Sequence, residues 1–570
     1  MNKAHNQKAR TSAIERAVKV LEMAPEKRFH SILGDPDPAG LVKALPPQEF
    51  WITIKRTGVN DSLELLELTS DEQLIFLQDI ECWIGDKLDP KRTLGWFEQL
   101  IGCGPEKVVQ WLRAVDADTF IVALQQFMRV TKPDEGADPH QFADTLPPYT
   151  LDNVYYLHFF DEKHRDIVGQ ILSQLAQLRF DLYARMMEGM VWEVGPEMEL
   201  QARRWRDGRL GDLGVPTLDE AMVIYQYLDE VRFNSLPAKS SPVAPEEGHA
   251  PPRFPMMAHG QRLLLMEALS IIPPGKSFDG IVMELAHLAN RVVVADTLDM
   301  SDANHVTKAV SKVGAVLSMG LETLAGKNVA AAADLLSHKW LLHIFQVGYG
   351  LTLKLARRAH RLYQTGWLKQ AAEARRLLGN PLENILAGLR RPRPLWYVGG
   401  PEPYRLFESL DELHAAKDAL DRIEYLGELF FKRLKIIRPD PASWSWKRIY
   451  PVEINFETAL RTALAHAAAG KGFEFLPLTK ADLIKFIETA FEPLSDNKMD
   501  GDRNKKRIKR EVHGNLADYL TSRDTAKNAI ELRIRDDIVS SALKFLEDEL
   551  GRLDPKTLEP KYIQGLVIRK

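Results

Sequence analysis

The chain has 570 residues, enough for two to four domains and a large total core. Apolar residues make up 45% and charged residues 27%, and a net charge of −4 over that length excludes a whole-molecule field for nucleic acid or acidic membranes. Two cysteines, Cys82 and Cys103, exclude a disulfide framework and point to a reducing cytoplasm.

Residues 1–10 are polar and basic with no apolar stretch behind them, so a signal peptide is not expected. Every later apolar run is broken by charge within about 18 residues, so no membrane span is expected either. Residues 12–33 carry Ile14, Val18, Leu21 and Met23 on a ragged helical face, and 34–38 is a turn. From 41 to 130 one phrase recurs: an apolar residue, a capping residue, a proline or acidic residue, then about ten residues of helical periodicity. Its copies are Leu45-Pro46-Pro47, Leu68-Thr69-Ser70-Asp71, Leu88-Asp89-Pro90, Cys103-Gly104-Pro105 and Val115-Asp116. Ser70 with Gln73 forms a capping box, Asp89, Gly104 and Asp116 are N-caps, and Pro47, Pro90 and Pro105 sit where no helical hydrogen bond is lost. Short helices that cannot bury an apolar face alone predict a stacked α-repeat array, with Trp51, Trp83, Trp96 and Trp111 packed between its units.

Residues 132–149 read as a loop. Asn153 to Phe160 is the best strand candidate, or else the start of a helix through Ile167, Ile171 and Leu175. Thr217 with Glu220 is a second capping box. Residues 236–255 are rich in Pro, Ser and Ala and poor in large apolar residues, which predicts a flexible linker. Long helical patterns follow, among them 328–362. Gly314, Gly320, Gly348 and Gly350 interrupt apolar helices and predict close backbone packing. Residues 390–394, Arg-Arg-Pro-Arg-Pro, and 439–450 read as breaks, and 500–510 as a hydrophilic insertion. Thr479 with Asp482 starts another helix, and a last one is expected over 526–550, capped by Asp524 or Thr525. The fold class is therefore mainly α with little β. The expected domains are a repeat domain (1–131), a helical middle domain with a possible short strand (150–235), the linker (236–255) and a helical C-terminal domain (256–570).

Two motifs suggest chemistry. Ser270-Ile-Ile-Pro-Pro-Gly275-Lys276-Ser277 resembles a loop in which backbone amides, Lys276 and Ser277 would hold phosphates and magnesium, and Val292 to Asp296 imitates its metal-binding strand. Against it, Ser270 replaces the first glycine, Pro273 and Pro274 each remove an amide, and the preceding residues read as helix; turn chemistry accounts for the motif better. Glu284 and His287 share a helical face in the spacing of di-iron and di-manganese ligands. Acidic-x-x-His also occurs at Asp161/His164, Glu246/His249, Asp302/His305 and Asp411/His414, where about two matches are expected by chance, so a metal there has little support. Cys82 and Cys103 lack zinc spacing. The basic run from Arg503 to Arg510 lacks interleaved aromatics and reads as a solvated loop rather than a nucleic-acid site.

Ile32-Leu-Gly-Asp-Pro-Asp-Pro-Ala-Gly-Leu-Val-Lys-Ala-Leu-Pro46, with Ile54-Lys55, Gly58, Trp83, Trp96 and Gly320-Leu-Glu-Thr-Leu324, resembles a bacterial family known only as a domain of unknown function. That resemblance spans nearly the whole chain and implies no activity. The repeat phrase at 38–130 is similar to the helical N-terminal domain of magnesium transporters and to flagellar motor-switch proteins. This second resemblance implies a superhelix of short helices and carries over no functional residue. The function expected from these readings is a cytoplasmic scaffold or adaptor that binds another protein on the repeat surface, with no cofactor. The alternative is an enzyme or nucleotide-dependent regulator with a site assembled from dispersed residues, near Gly275, Lys276 and Ser277. Oligomeric state is left open.

Overall fold

Prolines and capping residues set the starts of the N-terminal helices, as their spacing predicts. A computed structural model describes residues 2–133, 146–192, 195–239, 249–250, 252–253, 263–365, 367–370, 377–433, 449–450, 453–472, 476–493, 506–512, 514 and 528–570. The chain is mainly α-helical and divides into two compact units, Met1–Gly350 and Leu351–Lys570.

In the first unit, helices Pro47–Thr57, Pro90–Gly102 and Pro105–Ala114 each begin on proline. Helix Asp71–Glu81 opens on the Ser70/Gln73 capping box, with Gln73 N donating to Ser70 Oγ at 3.2 Å and Ser70 N to Gln73 Oε1 at 3.1 Å. Asp89 accepts from Arg92 N at 2.9 Å. Asp116 is the N-cap residue of helix Ala117–Gln125, but its side chain makes no capping hydrogen bond and its carboxylate pairs with Arg209. Trp51, Trp83, Trp96 and Trp111 are all buried.

After these helices, Met128–Thr131, Tyr149–Thr150 and Tyr156–Phe159 form an antiparallel sheet with Tyr156–Phe159 in the centre, Met128 opposite Phe159 and Tyr149 opposite Leu157. Within the strand candidate 153–160 the strand is Tyr156–Phe159, and Asp161 caps the helix Glu162–Leu178 that follows it. One buried apolar cluster runs from Ala13 to Ala250 and takes in both the 1–131 and the 150–235 stretches.

Part of the expected linker, residues 240–248, 251 and 254–255, lies outside the described residues. Its described residues join the first unit: Lys239 N donates to His338 O at 2.9 Å and Ala250 N to Ala44 O at 3.1 Å. Helices Lys276–Ala295, Ala303–Ala325 and Val329–His338 follow, then Leu341–Thr365, which runs on into the second unit. A Cβ on Gly348 would lie 2.1 Å from Val316 O, and one on Gly320 2.3 Å from Ile344 O. These glycines let two helix backbones touch.

The second unit contains helices Leu382–Leu389, Leu410–Gly427, Phe456–Ala468, Lys480–Ala490 and Ala529–Leu550. Asn528 caps the last helix, accepting from Glu531 N at 2.9 Å, while the expected caps Asp524 and Thr525 lie outside the described residues. Of the basic run, 503–505 lies outside as well. Lys506–Ile508 is a strand rather than a solvated loop, paired with Phe491–Pro493 and held by Arg507 to Glu492 at 2.8 Å. No helix among the described residues is long and apolar enough to cross a membrane.

Candidate functional site

The two motifs singled out in the sequence both fall on helix Lys276–Ala295. Gly275 is its N-cap, with φ 148°, and Lys276 and Ser277 are exposed. The segment before it is the helix Leu264–Ser270, so the strand that a phosphate loop springs from is not formed. Asp296, at the far end, closes a helix rather than a strand. Its carboxylate accepts from Lys312 Nζ at 2.7 Å and from Tyr225 Oη at 2.7 Å.

Glu284 is buried and both of its oxygens are engaged. Oε1 accepts from Lys239 Nζ at 2.7 Å and Oε2 from Leu341 N at 3.0 Å, so the carboxylate ties three segments together. The ring of His287 lies against Gly214, where an added Cβ would meet Cδ2 at 2.1 Å. Among the described residues, no group of three or more His, Cys, Asp or Glu side chains could hold a metal ion.

Two cavities of the first unit have chemistry that satisfies itself. One, of ≈ 70 Å³, is lined mainly by Trp51, Ile52, Phe76, Ile80, Val293 and Val310. Its carboxylate, Glu49, already pairs with buried Arg28 at 2.6 Å. The other, of ≈ 420 Å³, holds Glu72, Asp79, Asp212 and Arg209. Burial raises the Asp79 carboxyl above its ordinary range, against the opposing pull of Arg209, whose guanidinium grips it at 2.8 and 2.9 Å.

The second unit contains a cleft of a different kind. It measures ≈ 670 Å³, within the range of small-molecule sites, and is lined by Arg357, Arg361, Arg390, Arg391, His360 and Gln364 among others. None of the described residues that line it is acidic. One wall is helix Leu341–Thr365. The pairs 357/360, 357/361, 360/364 and 361/364 are three or four residues apart, so these positions share a face. The same helix directs Arg358 elsewhere, to Asp421 at 2.6 Å and Glu424 at 2.7 Å on helix Leu410–Gly427. Those carboxylates anchor the wall through Arg358.

The facing wall is the turn after helix Leu382–Leu389. Leu395 N returns to Gly388 O at 3.0 Å, and an added Cβ on Gly388 would lie 2.6 Å from Leu395 O. Only glycine tolerates so close a return, and the return projects Arg390, Arg391, Pro392 and Pro394 into the cleft. Tyrosine faces hold the two guanidiniums: Arg390 lies 3.2 Å from the Tyr363 ring centroid and Arg391 4.1 Å from that of Tyr404. Neither they nor Arg361 forms an ion pair with a described carboxylate, and Arg390 Nε is buried with no hydrogen-bond partner among the described residues. His360 Nδ1 donates to Ala356 O at 2.9 Å, which orients its ring.

Guanidiniums stay charged at any accessible pH, present planar forks that match phosphate and carboxylate oxygens, and focus their field in a cleft of one sign. The arrangement is chemically fitted to hold an anion. The 390–394 stretch reads in sequence only as a break, and the helical spacing of Arg357 and Arg361 goes unremarked there. A search for arginines at helical spacing beside an Arg-Arg-Pro turn would have found both walls, but not that they face each other.

Comparisons with curated proteins and with solved structures find no match. The chain does match, over residues 5–569, the model of a family of unknown function (DUF6178), and it belongs to that family.

Proposed function

We propose that this chain is a binding protein whose second unit recognises an anionic ligand. One observation carries the reading: four arginines and a histidine line a ≈ 670 Å³ cleft with no acidic residue among the described ones that line it. Surface arginines are ordinarily neutralised by neighbouring carboxylates, as Arg358 is here. A cleft that concentrates like charges and leaves a buried guanidinium nitrogen unsatisfied forgoes about 1–3 kcal/mol at that nitrogen alone. The test is calorimetric titration of the full chain with inorganic phosphate and pyrophosphate at two salt concentrations. Binding that weakens with salt and is lost in the Arg361→Ala/Arg391→Ala double variant supports the reading. No binding of either anion overturns it.

A second reading keeps an adaptor role on the first unit, but on the stretch that follows the 41–130 helices. It is favoured by large apolar side chains left open on the 160–192 stretch, Phe160, Leu178, Phe180 and Trp192, the last 75% exposed. A photo-crosslinking residue at position 192, compared with one at exposed position 212, tests it. Adducts specific to position 192 support a protein partner there, and equal labelling at both positions removes the reading. In either case the setting we propose is the cytoplasm, which suits the two unpaired thiols.

A further inference from the structure

Resting on the anion reading, we propose that the cleft takes an organic diphosphate: a small molecule bearing two adjacent phosphoryl groups on an apolar or aromatic body. Charge sets the number of phosphoryl groups. A monoester phosphate carries at most about −2, less than the charge of Arg361, Arg390 and Arg391 together, none of which has an ion pair with a described carboxylate. Geometry agrees with charge. Arg357 and Arg361 stand one helical turn apart, about 5–6 Å between Cβ atoms. Arg390 and Arg391 are consecutive on the opposite wall, and each guanidinium fork matches the oxygens of one phosphoryl group.

The size and remaining lining set the body. A bare diphosphate leaves much of ≈ 670 Å³ empty, and beside the arginines and the polar His360, Gln364 and Thr365 the lining is apolar: Leu353, Ala356, Pro392 and Pro394. Leu353 and Ala356 precede Arg357 on the same helix, so the wall changes from apolar to cationic along its length. A ligand with a charged end and an uncharged body fits that gradient. The tyrosine faces stacked under Arg390 and Arg391 hold both guanidiniums flat, which lowers the rotamer entropy lost when the forks engage.

The experiment titrates the full chain with orthophosphate, pyrophosphate, ADP and a short alkyl diphosphate, with single-stranded RNA and polyglutamate as competitors. The proposal expects pyrophosphate to bind more tightly than orthophosphate, and at least one ester to bind about tenfold more tightly than pyrophosphate. The ADP and alkyl arms distinguish a nucleoside body from a lipid-like one. Arg361→Ala and Arg390→Ala, each removing a charge-assisted contact, should weaken ester binding by about tenfold or more. Leu353→Ser should shrink the ratio of ester to pyrophosphate affinity. Lys276→Ala should change neither. Equal affinity for pyrophosphate and both esters overturns this proposal and leaves the anion reading standing. Tighter binding of RNA or polyglutamate than of any ester overturns it in favour of a macromolecular anion. Absence of all binding removes both readings together.

Discussion

Burial decides the chemistry of both thiols in this chain. Desolvation pushes the Cys82 thiol well above the usual range and the Cys103 thiol to about 11. At pH 8 the reactive thiolate of Cys103 is then on the order of one part in a thousand, and burial suppresses that of Cys82 as well. Native protein should therefore react slowly with a disulfide reagent at pH 8 and release both equivalents at once in guanidinium. Fast labelling of either thiol in the native chain would contradict the burial described. Asp299 shows the opposite balance: burial works to raise its carboxyl, but hydrogen bonds from Arg92 and Ser301 outweigh it and hold the group at about 2. A folded-state value below the unfolded one of about 3.9 contributes stability above pH 4, and that contribution fades as pH falls from about 4 to about 2. Arg92→Ala should accordingly lower the melting temperature at pH 7 and change it much less at pH 2.5. The same competition explains Asp116, a capping residue by sequence that Arg209 takes for an ion pair. Local rules assign a carboxylate to the nearest backbone amide, but an arginine remote in sequence can offer more.

Helices in this chain are placed by two devices, glycine contacts and aromatic nests. Gly348→Ala would set a methyl group 2.1 Å from Val316 O, a clash that must move helix Leu341–Thr365 from helix Ala303–Ala325. Overpacking of this kind costs about 1–3 kcal/mol. Gly208→Ala, in helix Gly195–Asp212 with nothing within 4 Å of the new methyl, should stabilise by about 0.5–1 kcal/mol. Opposite shifts in melting temperature are the expected result, and a shared sign would refute the close-contact account. Phe97 is 1% exposed and meets Trp111 at 5.5 Å and Phe120 at 6.2 Å between ring centroids. Phe97→Ala should cost about 3–5 kcal/mol, while exposed Lys91→Ala should change little, both read from thermal unfolding of the full chain. The capping boxes and the helix-opening prolines were legible because each depends on neighbours within a few residues, whereas Gly320 and Gly348 stood out only as small residues in apolar helices and their partners Ile344 and Val316 lie on the facing helix. The strand–helix choice at 153–160 was not, since a strand needs partners, and Met128–Thr131 and Tyr149–Thr150 supply them.

The first unit closes across the stretch that composition reads as a linker. Arg56 donates to Thr307 Oγ1 at 2.7 Å, Arg291 to Glu220 O at 2.8 Å and Asn290 to Gly214 O at 3.3 Å, all joining residues on either side of it. A specific protease site placed within 240–248 should therefore yield two pieces that co-elute in native buffer and part only in denaturant. Separation in native buffer would show instead that the stretch divides two independent bodies. By itself the sequence determined the helical class, the starts of the helices that open on Pro47, Asp71, Pro90 and Pro105, the burial of Trp51, Trp83, Trp96 and Trp111, and membership of the family, because caps, prolines and periodicity act over a few residues and family patterns are linear. Only the tertiary structure decided that residues on either side of 240–248 share one unit, and that the division falls at Gly350 inside a helical pattern. It alone set Arg357 and Arg361 opposite Arg390 and Arg391, since two walls some thirty residues apart meet only through the path of the chain between them, and no local signal encodes that meeting.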